Sequence, residues 1–184
     1  MGKVIVGTTM SLDGFMNDRK GSVEKLYPNL EELRTTEMLE ESMRSTGAVV
    51  MGRHAFDMAH GDLTGYEYQV PIFVVTHHPP EAVAKGQNDK LRIIFVSDGV
   101  ERAIQQAKTA AGDKDVTVVG GASTAQQIIN AGLFDMLEIG IVPILLGGGL
   151  RFFDNASFGN IELERVRTLE SAGRVDLRYR LKSK

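Results

Sequence analysis

Three places in this 184-residue chain, two of them with glycine, end an apolar run in groups able to hold a phosphorylated ligand. The stretch DVTVVGGASTAQQ, residues 115–127, is an apolar, β-branched run that meets Gly120-Gly121 and continues through Ala122, Ser123 and Thr124 into a helical pattern. A glycine pair removes every Cβ from the path of a ligand, and a helix starting behind it turns unpaired N–H groups and a positive dipole end toward the same point. Ser123 with Gln126, or Thr124 with Gln127, fits a capping box at that start. A tight packing turn would use the same residues. Met51-Gly52-Arg53-His54 closes a second apolar run, where the planar guanidinium grips phosphate and the imidazole adds a donor. Thr76-His77-His78 closes a third and could receive a ribose phosphate. Adjacent histidines point apart in an extended segment, and no third ligand stands at suitable spacing, so a metal site is not expected. Asp13, in Ser11-Leu12-Asp13-Gly14, is the candidate for the reacting end of such a cleft, with a plain turn aspartate as the alternative.

Composition limits the chemistry further. There is no cysteine, which excludes disulfides and thiolate catalysis. A formal charge of -3 with no long single-sign run argues against nucleic acid as a partner. No apolar run approaches bilayer length and the N-terminus lacks a signal-peptide pattern, so a membrane partner is not expected and a cytoplasmic location is. Gly147-Gly148-Gly149 resembles the start of a dinucleotide GxGxxG, but Phe152 occupies the last glycine position, which disfavours a Rossmann dehydrogenase.

The elements that must position these groups alternate. Strand patterns at Val4–Val6, Ala48–Met51, Pro71–Thr76, Arg92–Val96 and Val116–Val119 are apolar on nearly every residue, as in a parallel sheet covered on both faces. Between them the pattern predicts a helix from about Asn29 to Arg44, one capped by Asp98 and stopped at Gly112, and one from the glycine pair to Gly132. After Phe134 strict alternation takes over: Leu137, Ile139 and Ile141, then Val175, Leu177, Tyr179 and Leu181 against Arg174, Asp176, Arg178, Arg180 and Lys182. The second series reads as an antiparallel strand with a basic outward face at a sheet edge. The reading is therefore an α/β fold, one domain over residues 1–184, with a mostly parallel central sheet flanked by helices and antiparallel C-terminal strands.

In this order and spacing the Ser11–Gly14, Val50–His54, Val116–Gly121 and Phe134–Gly147 segments resemble the dihydrofolate reductase fold. They are closer still to the C-terminal reductase domain of the bifunctional riboflavin-biosynthesis deaminase-reductase and its stand-alone bacterial relatives. The resemblance implies an NADPH-dependent reductase acting on a small pteridine-like or ribosylaminopyrimidine-like heterocycle, and a homodimer. It implies Arg53 and Thr76 near the adenosine 2′-phosphate, His54 and Gly121 to Thr124 at the pyrophosphate, and Met10 to Asp13 as a loop closing over the nicotinamide. It also implies a cis peptide between Gly120 and Gly121. Dihydrofolate reductases carry a carboxylate in the first helix; a gapless count places Thr36 there, and Glu37 beside it is the nearest acid. The competing readings are a non-catalytic dinucleotide-binding sensor module and a purely structural domain.

Overall fold

A computed structural model describes residues 2–154, 157, 159–171 and 173–182. The apolar runs become strands β1 (Val4–Ser11), β2 (Thr46–Gly52), β3 (Ile72–Val75), β4 (Ile93–Val96), β5 (Asp115–Val119) and β6 (Met136–Val142), followed by β7 (Leu163–Ser171) and β8 (Arg174–Leu181). They form one eight-stranded sheet in the order β4-β3-β2-β5-β1-β6-β8-β7. The first six run parallel, and the C-terminal pair is antiparallel. The helices are α1 (Leu30–Arg34), α2 (Glu37–Ser45), α3 (Arg53–Met58), α4 (Val100–Ala111) and α5 (Ala122–Asn130).

Burial on both faces explains why the central strands tolerate apolar residues at every position. Val4, Val6, Val116 and Val118 pack with Ala103, Ile104 and Ala107 of α4 and Ile128 and Ile129 of α5. Val49, Met51 and Val74 turn the other way, against Phe56 of α3 and the Leu63–Tyr68 segment, with Leu39 and Met43 of α2 alongside. Each of these alternate residues is almost wholly removed from water. A buried side chain of this kind contributes about 1.5–3 kcal/mol.

Four local expectations are corrected. The helix expected over Asn29 to Arg44 is two helices, because Asn29 and Thr36 each cap one, accepting from the backbone N–H of Glu32 and Leu39. Gly99, at φ 91°, caps α4 in place of Asp98. Gly121 caps α5, so Ser123 and Thr124 lie inside the helix and form no capping box. Met10 and Ser11 belong to β1, paired with Ile141 and Val142, rather than to a loop.

The last strand is not an edge. β8 lies between β6 and β7, and the sheet ends at β4 and β7. The supposed outward face is covered over Arg174, Asp176 and Arg178, where Asp176 is 3% exposed and is the most buried residue of the strand, while Arg180 and Lys182 are exposed as expected. Edge-strand logic therefore applies to β7, whose register slips between Arg165 and Arg167, an irregularity that discourages pairing with another chain.

Candidate active-site cleft

The carboxyl ends of β1, β2 and β5 open into an outer cavity of about 500 Å³, which adjoins an inner cavity of about 270 Å³. Thr9, Met16, Tyr27, Glu67, Val119 and Gly120 line both, so the two form one cleft.

The glycine pair sits at the junction. The Gly120–Gly121 peptide is trans, which corrects the cis bond implied by the resemblance, and the turn is made by positive φ angles of 63° and 76°. The two glycines answer to different constraints. A Cβ on Gly120 would lie 2.8 Å from Cβ of Ala55 in α3, too close for any side chain. At Gly121 the nearest atom would be the Gly52 Cα at 3.7 Å, so space remains and only the backbone angle favours glycine. What passes close to Gly120 is thus α3, while Gly121 leaves its backbone facing the outer cavity beside Ala122. No side chain caps α5 there, and the N–H groups of its first turn have no intrahelical partner.

The other strand-end groups gather around this turn. Gly52 lets α5 approach β2: a Cβ on it would stand 2.5 Å from Thr124 Oγ1. His54 lines the outer cavity. Arg53 Nε donates to Asp57 Oδ1 at 2.7 Å, and its Nη1 donates to the His78 carbonyl, joining α3 to the end of β3. Thr76 is buried, its hydroxyl accepting from the His78 N–H at 3.2 Å. His77 is exposed beside it. Ser123 is exposed and accepts from Gln127 Nε2 at 3.2 Å.

Asp13 and Glu37 are not brought to the cleft. Asp13 accepts from the Ser11 hydroxyl at 2.6 Å and from the Leu146 and Gly147 backbone N–H groups at 3.1 and 2.8 Å. The Ser11 hydrogen bond, with help from those N–H groups, pulls its carboxyl down to about 2. Glu37, in the first turn of α2, pairs outward with Arg167 of β7.

The inner cavity carries polar groups that the sequence reading missed. Glu138 of β6 faces Arg178 Nε of β8 across 2.6 Å, though not in hydrogen-bond alignment, so both atoms remain without a hydrogen-bond partner. Arg178 Nη1 reaches Glu41 Oε1 of α2 at 2.8 Å. Arg174 pairs with Asp176 at 2.8 Å and donates to the Thr9 hydroxyl at 3.1 Å. Burial pushes the Glu138 and Asp176 carboxyls up, against the pull of Arg178 and Arg174 respectively. Tyr68 shares a hydrogen bond of 2.9 Å with Ser42, and burial pushes its hydroxyl up as well. A lone acid inside the apolar run Leu137-Glu138-Ile139-Gly140-Ile141 was the available signal.

With a glycine turn, an arginine at a helix start and a long cleft at the carboxyl ends of parallel strands, the architecture is that of a dihydrofolate-reductase-like α/β protein. Residues 2–175 match the model of the RibD C-terminal domain, and the chain belongs to that family. It is 25% identical over 183 residues to YyaP of Bacillus subtilis, a protein of uncharacterized function, covering 96% of this chain and 94% of that one. A candidate riboflavin biosynthesis protein of Shewanella sp. PV-4 superposes with a TM-score of 0.79 at 24% identity, covering 98% of this chain and 99% of that one. The Thermotoga maritima diaminohydroxyphosphoribosylaminopyrimidine deaminase/5-amino-6-(5-phosphoribosylamino)uracil reductase superposes with a TM-score of 0.76 at 15% identity. This match covers 98% of the present chain but only 57% of that bifunctional one. Dihydrofolate reductase of Enterococcus faecalis, complexed with NADP(H), gives 0.65 at 15% identity, covering 99% and 98%.

Proposed function

We propose that the chain is an NADPH-dependent reductase that passes hydride to a small heterocycle, working as one cytoplasmic domain and as a homodimer. The observation that carries this reading is the continuity of the cleft: a backbone turn at Gly120-Gly121 and a helix start suited to pyrophosphate adjoin an inner cavity lined with polar groups. The cradle fits a dinucleotide, because the uncapped start of α5 and the Gly121 backbone face the outer cavity without an obstructing side chain. Gly120, Gly121, Ala122 and the first turn of α5, with Ser123 and Thr124, would hold the pyrophosphate, with His54 opposite. Gly52 admits the close approach of that helix. Arg53, steadied by the Thr76–His78 turn, would face the 2′-phosphate, with His77 at its rim. The nicotinamide, when bound, supplies the hydride. The chain orients the two ligands and excludes water at Thr9 and Met16, where the cavities meet.

Titration with NADPH and NADH, followed by NADPH consumption in the presence of reducible heterocycles, tests the reading. Preference for NADPH and substrate-dependent consumption are expected; binding of neither cofactor removes it. The placement of Asp13 and Glu37 outside the cleft favours a second reading, a dinucleotide-binding sensor without catalysis. NADPH binding with no turnover of any heterocycle would select that one. Light scattering at micromolar concentration tests the homodimer, and a monomer refutes it.

A further inference from the structure

The cleft has two side walls, and they are held very differently. One is the segment that follows β1, which sets Met16 against both cavities and Asn17 against the outer one. It is tied along its length to the loop of residues 144–151. The Leu12 N–H donates to the Ile144 carbonyl at 3.0 Å, and the Met16 N–H donates to that of Leu150 at 2.8 Å. Asp13 accepts from the Leu146 and Gly147 N–H groups, and Asn17 Oδ1 accepts from the Leu150 N–H at 2.8 Å. Arg19 lies across Gly148 and donates to the Gly147 carbonyl at 2.8 Å. Two glycines let the segments interlock: a Cβ on Gly148 would overlap the Arg19 side chain, and one on Gly149 would overlap the Asn17 carbonyl.

The opposite wall is α1. It contains no buried residue, although Leu30 and Leu33 border the inner cavity and Arg34 borders the outer one. A helix of five residues does not hold itself together in water, so α1 depends on its tethers. Among the described residues, the one polar side-chain tie from α1 across the cleft is Arg34 to Glu67, at 3.2 Å, with Arg34 half exposed. The next helix is fixed to the sheet instead. Glu41 of α2 pairs with Arg167 and with Arg178 at 2.8 Å each, and Glu37 pairs with Arg167. Thr35-Thr36 therefore separates a clamped helix from a loosely held one.

We propose that the cleft admits small ligands to its inner cavity by a swing of α1 about Thr35-Thr36, released at the Arg34–Glu67 pair, while residues 12–19 stay a fixed wall. This route serves any ligand of the inner cavity and is independent of the reductase reading. An exposed ion pair adds little stability, so α1 opens readily. The opposite wall would have to give up all its ties together.

The absence of cysteine allows a direct test with placed thiols. Ser42 is 6% exposed and borders the inner cavity, so Ser42→Cys is a near-isosteric reporter whose alkylation by N-ethylmaleimide requires the cleft to widen. Thr117→Cys, in the same cavity, serves if the first variant does not fold. Arg34→Glu replaces the attraction to Glu67 by a like-charge contact and should speed alkylation by about five-fold. Arg34→Glu/Glu67→Arg should restore the original rate. The other wall is locked by Arg19→Cys/Gly148→Cys, because a Cβ on Gly148 lies 3.0 Å from Arg19 Cγ, a separation suited to the Cβ and opposite sulfur of a disulfide. Closing that bridge should leave the alkylation rate unchanged. A slower rate with the bridge closed, an unchanged rate in Arg34→Glu, or no restoration by the reversed pair each overturns the proposal. So does a rate that rises with urea as steeply as global unfolding. Failure of the reductase reading would show elsewhere, as loss of NADPH binding or turnover with these rates unaltered.

Discussion

Replacing Gly120 and Gly121 separately by alanine should have unequal costs, although the two are neighbours with similar φ. Placing an alanine at positive φ costs about 1–2 kcal/mol at either site. Gly120→Ala adds a steric term, because its methyl would stand 2.8 Å from the Ala55 methyl. Overpacking of that kind costs about 1–3 kcal/mol, which brings the total for Gly120→Ala to about 2–5 kcal/mol. For a chain of this length each kcal/mol moves the melting temperature by about 2–4 °C. Gly121→Ala, with 3.7 Å to the nearest atom, carries the backbone cost alone. Urea denaturation of both variants and of Gly120→Ala/Ala55→Gly gives the comparison. Ala55→Gly alone should cost about 1 kcal/mol as a helix glycine, yet in the Gly120→Ala background it should recover part of the loss, a coupling of about 1–3 kcal/mol. Equal destabilisation by the two single variants, or strict additivity with Ala55→Gly, would refute α3 as the neighbour that demands a glycine at position 120.

Asp57 shares the Arg53 guanidinium at 2.7 Å, so Asp57→Asn should free it and raise the preference for NADPH over NADH, by about three-fold or more in the ratio of dissociation constants. An unchanged ratio would separate Arg53 from the 2′-phosphate. Asp13→Asn should leave cofactor affinity within about two-fold while loosening the Leu146–Gly147 loop to proteolysis. Because the Asp13 carboxyl is lowered to about 2 from an ordinary 3.8, the tie is complete above pH 3.8 and is lost as pH falls toward 2. Loop protection that instead fades between pH 5 and 7 would show that another group holds it. Arg178→Met should destabilise by about 3–5 kcal/mol by stranding the buried Glu138 carboxylate, while Glu41 keeps Arg167, and adding Glu138→Gln should recover part of that. Denaturant midpoints measure both, and a near-neutral single variant would contradict the buried pairing.

The parallel half of the sheet was legible because burial on both faces leaves an unmistakable trace: Val116 to Val119 has almost no polar residue to place elsewhere. Two of the three phosphate-compatible strand ends were legible for a related reason, since glycine next to a buried run, at Gly52 and Gly120-Gly121, marks a backbone under spatial constraint; the third showed only by its hydroxyl and imidazoles at Thr76-His77-His78. Their convergence needed the sheet order, which sets β2 between β3 and β5. Asp13 could be singled out, but not its direction. Its partners Leu146 and Gly147 stand more than 130 positions along the chain, and only the closure of that loop on the end of β1 turns the carboxylate away from the cleft. Glu37 failed similarly: the helix expected through Thr36 is capped there, and its first turn faces Arg167 of β7.

The misreading of β8 leads back to the chemistry. Alternation identifies two faces of a strand but does not say what covers either, and charged residues are assigned to solvent by default. Here β7 adds beyond β8 and α2 packs over its charged face, so Arg174, Asp176 and Arg178 are enclosed together with Glu138 and Glu41. A run of apolar residues would close this floor at less electrostatic cost, because buried ion pairs seldom repay their desolvation. Their retention beside a cavity has a consequence for binding: each arginine cancels a carboxylate and holds it in place, and the two glycines decide where the cancelled charge fills space and where it borders an opening. Gly140 is covered by such a pair, and Gly7 is left bare next to Glu138. The ion network thereby acts as a shaped wall of paired charges, filled over Gly140 and open over Gly7.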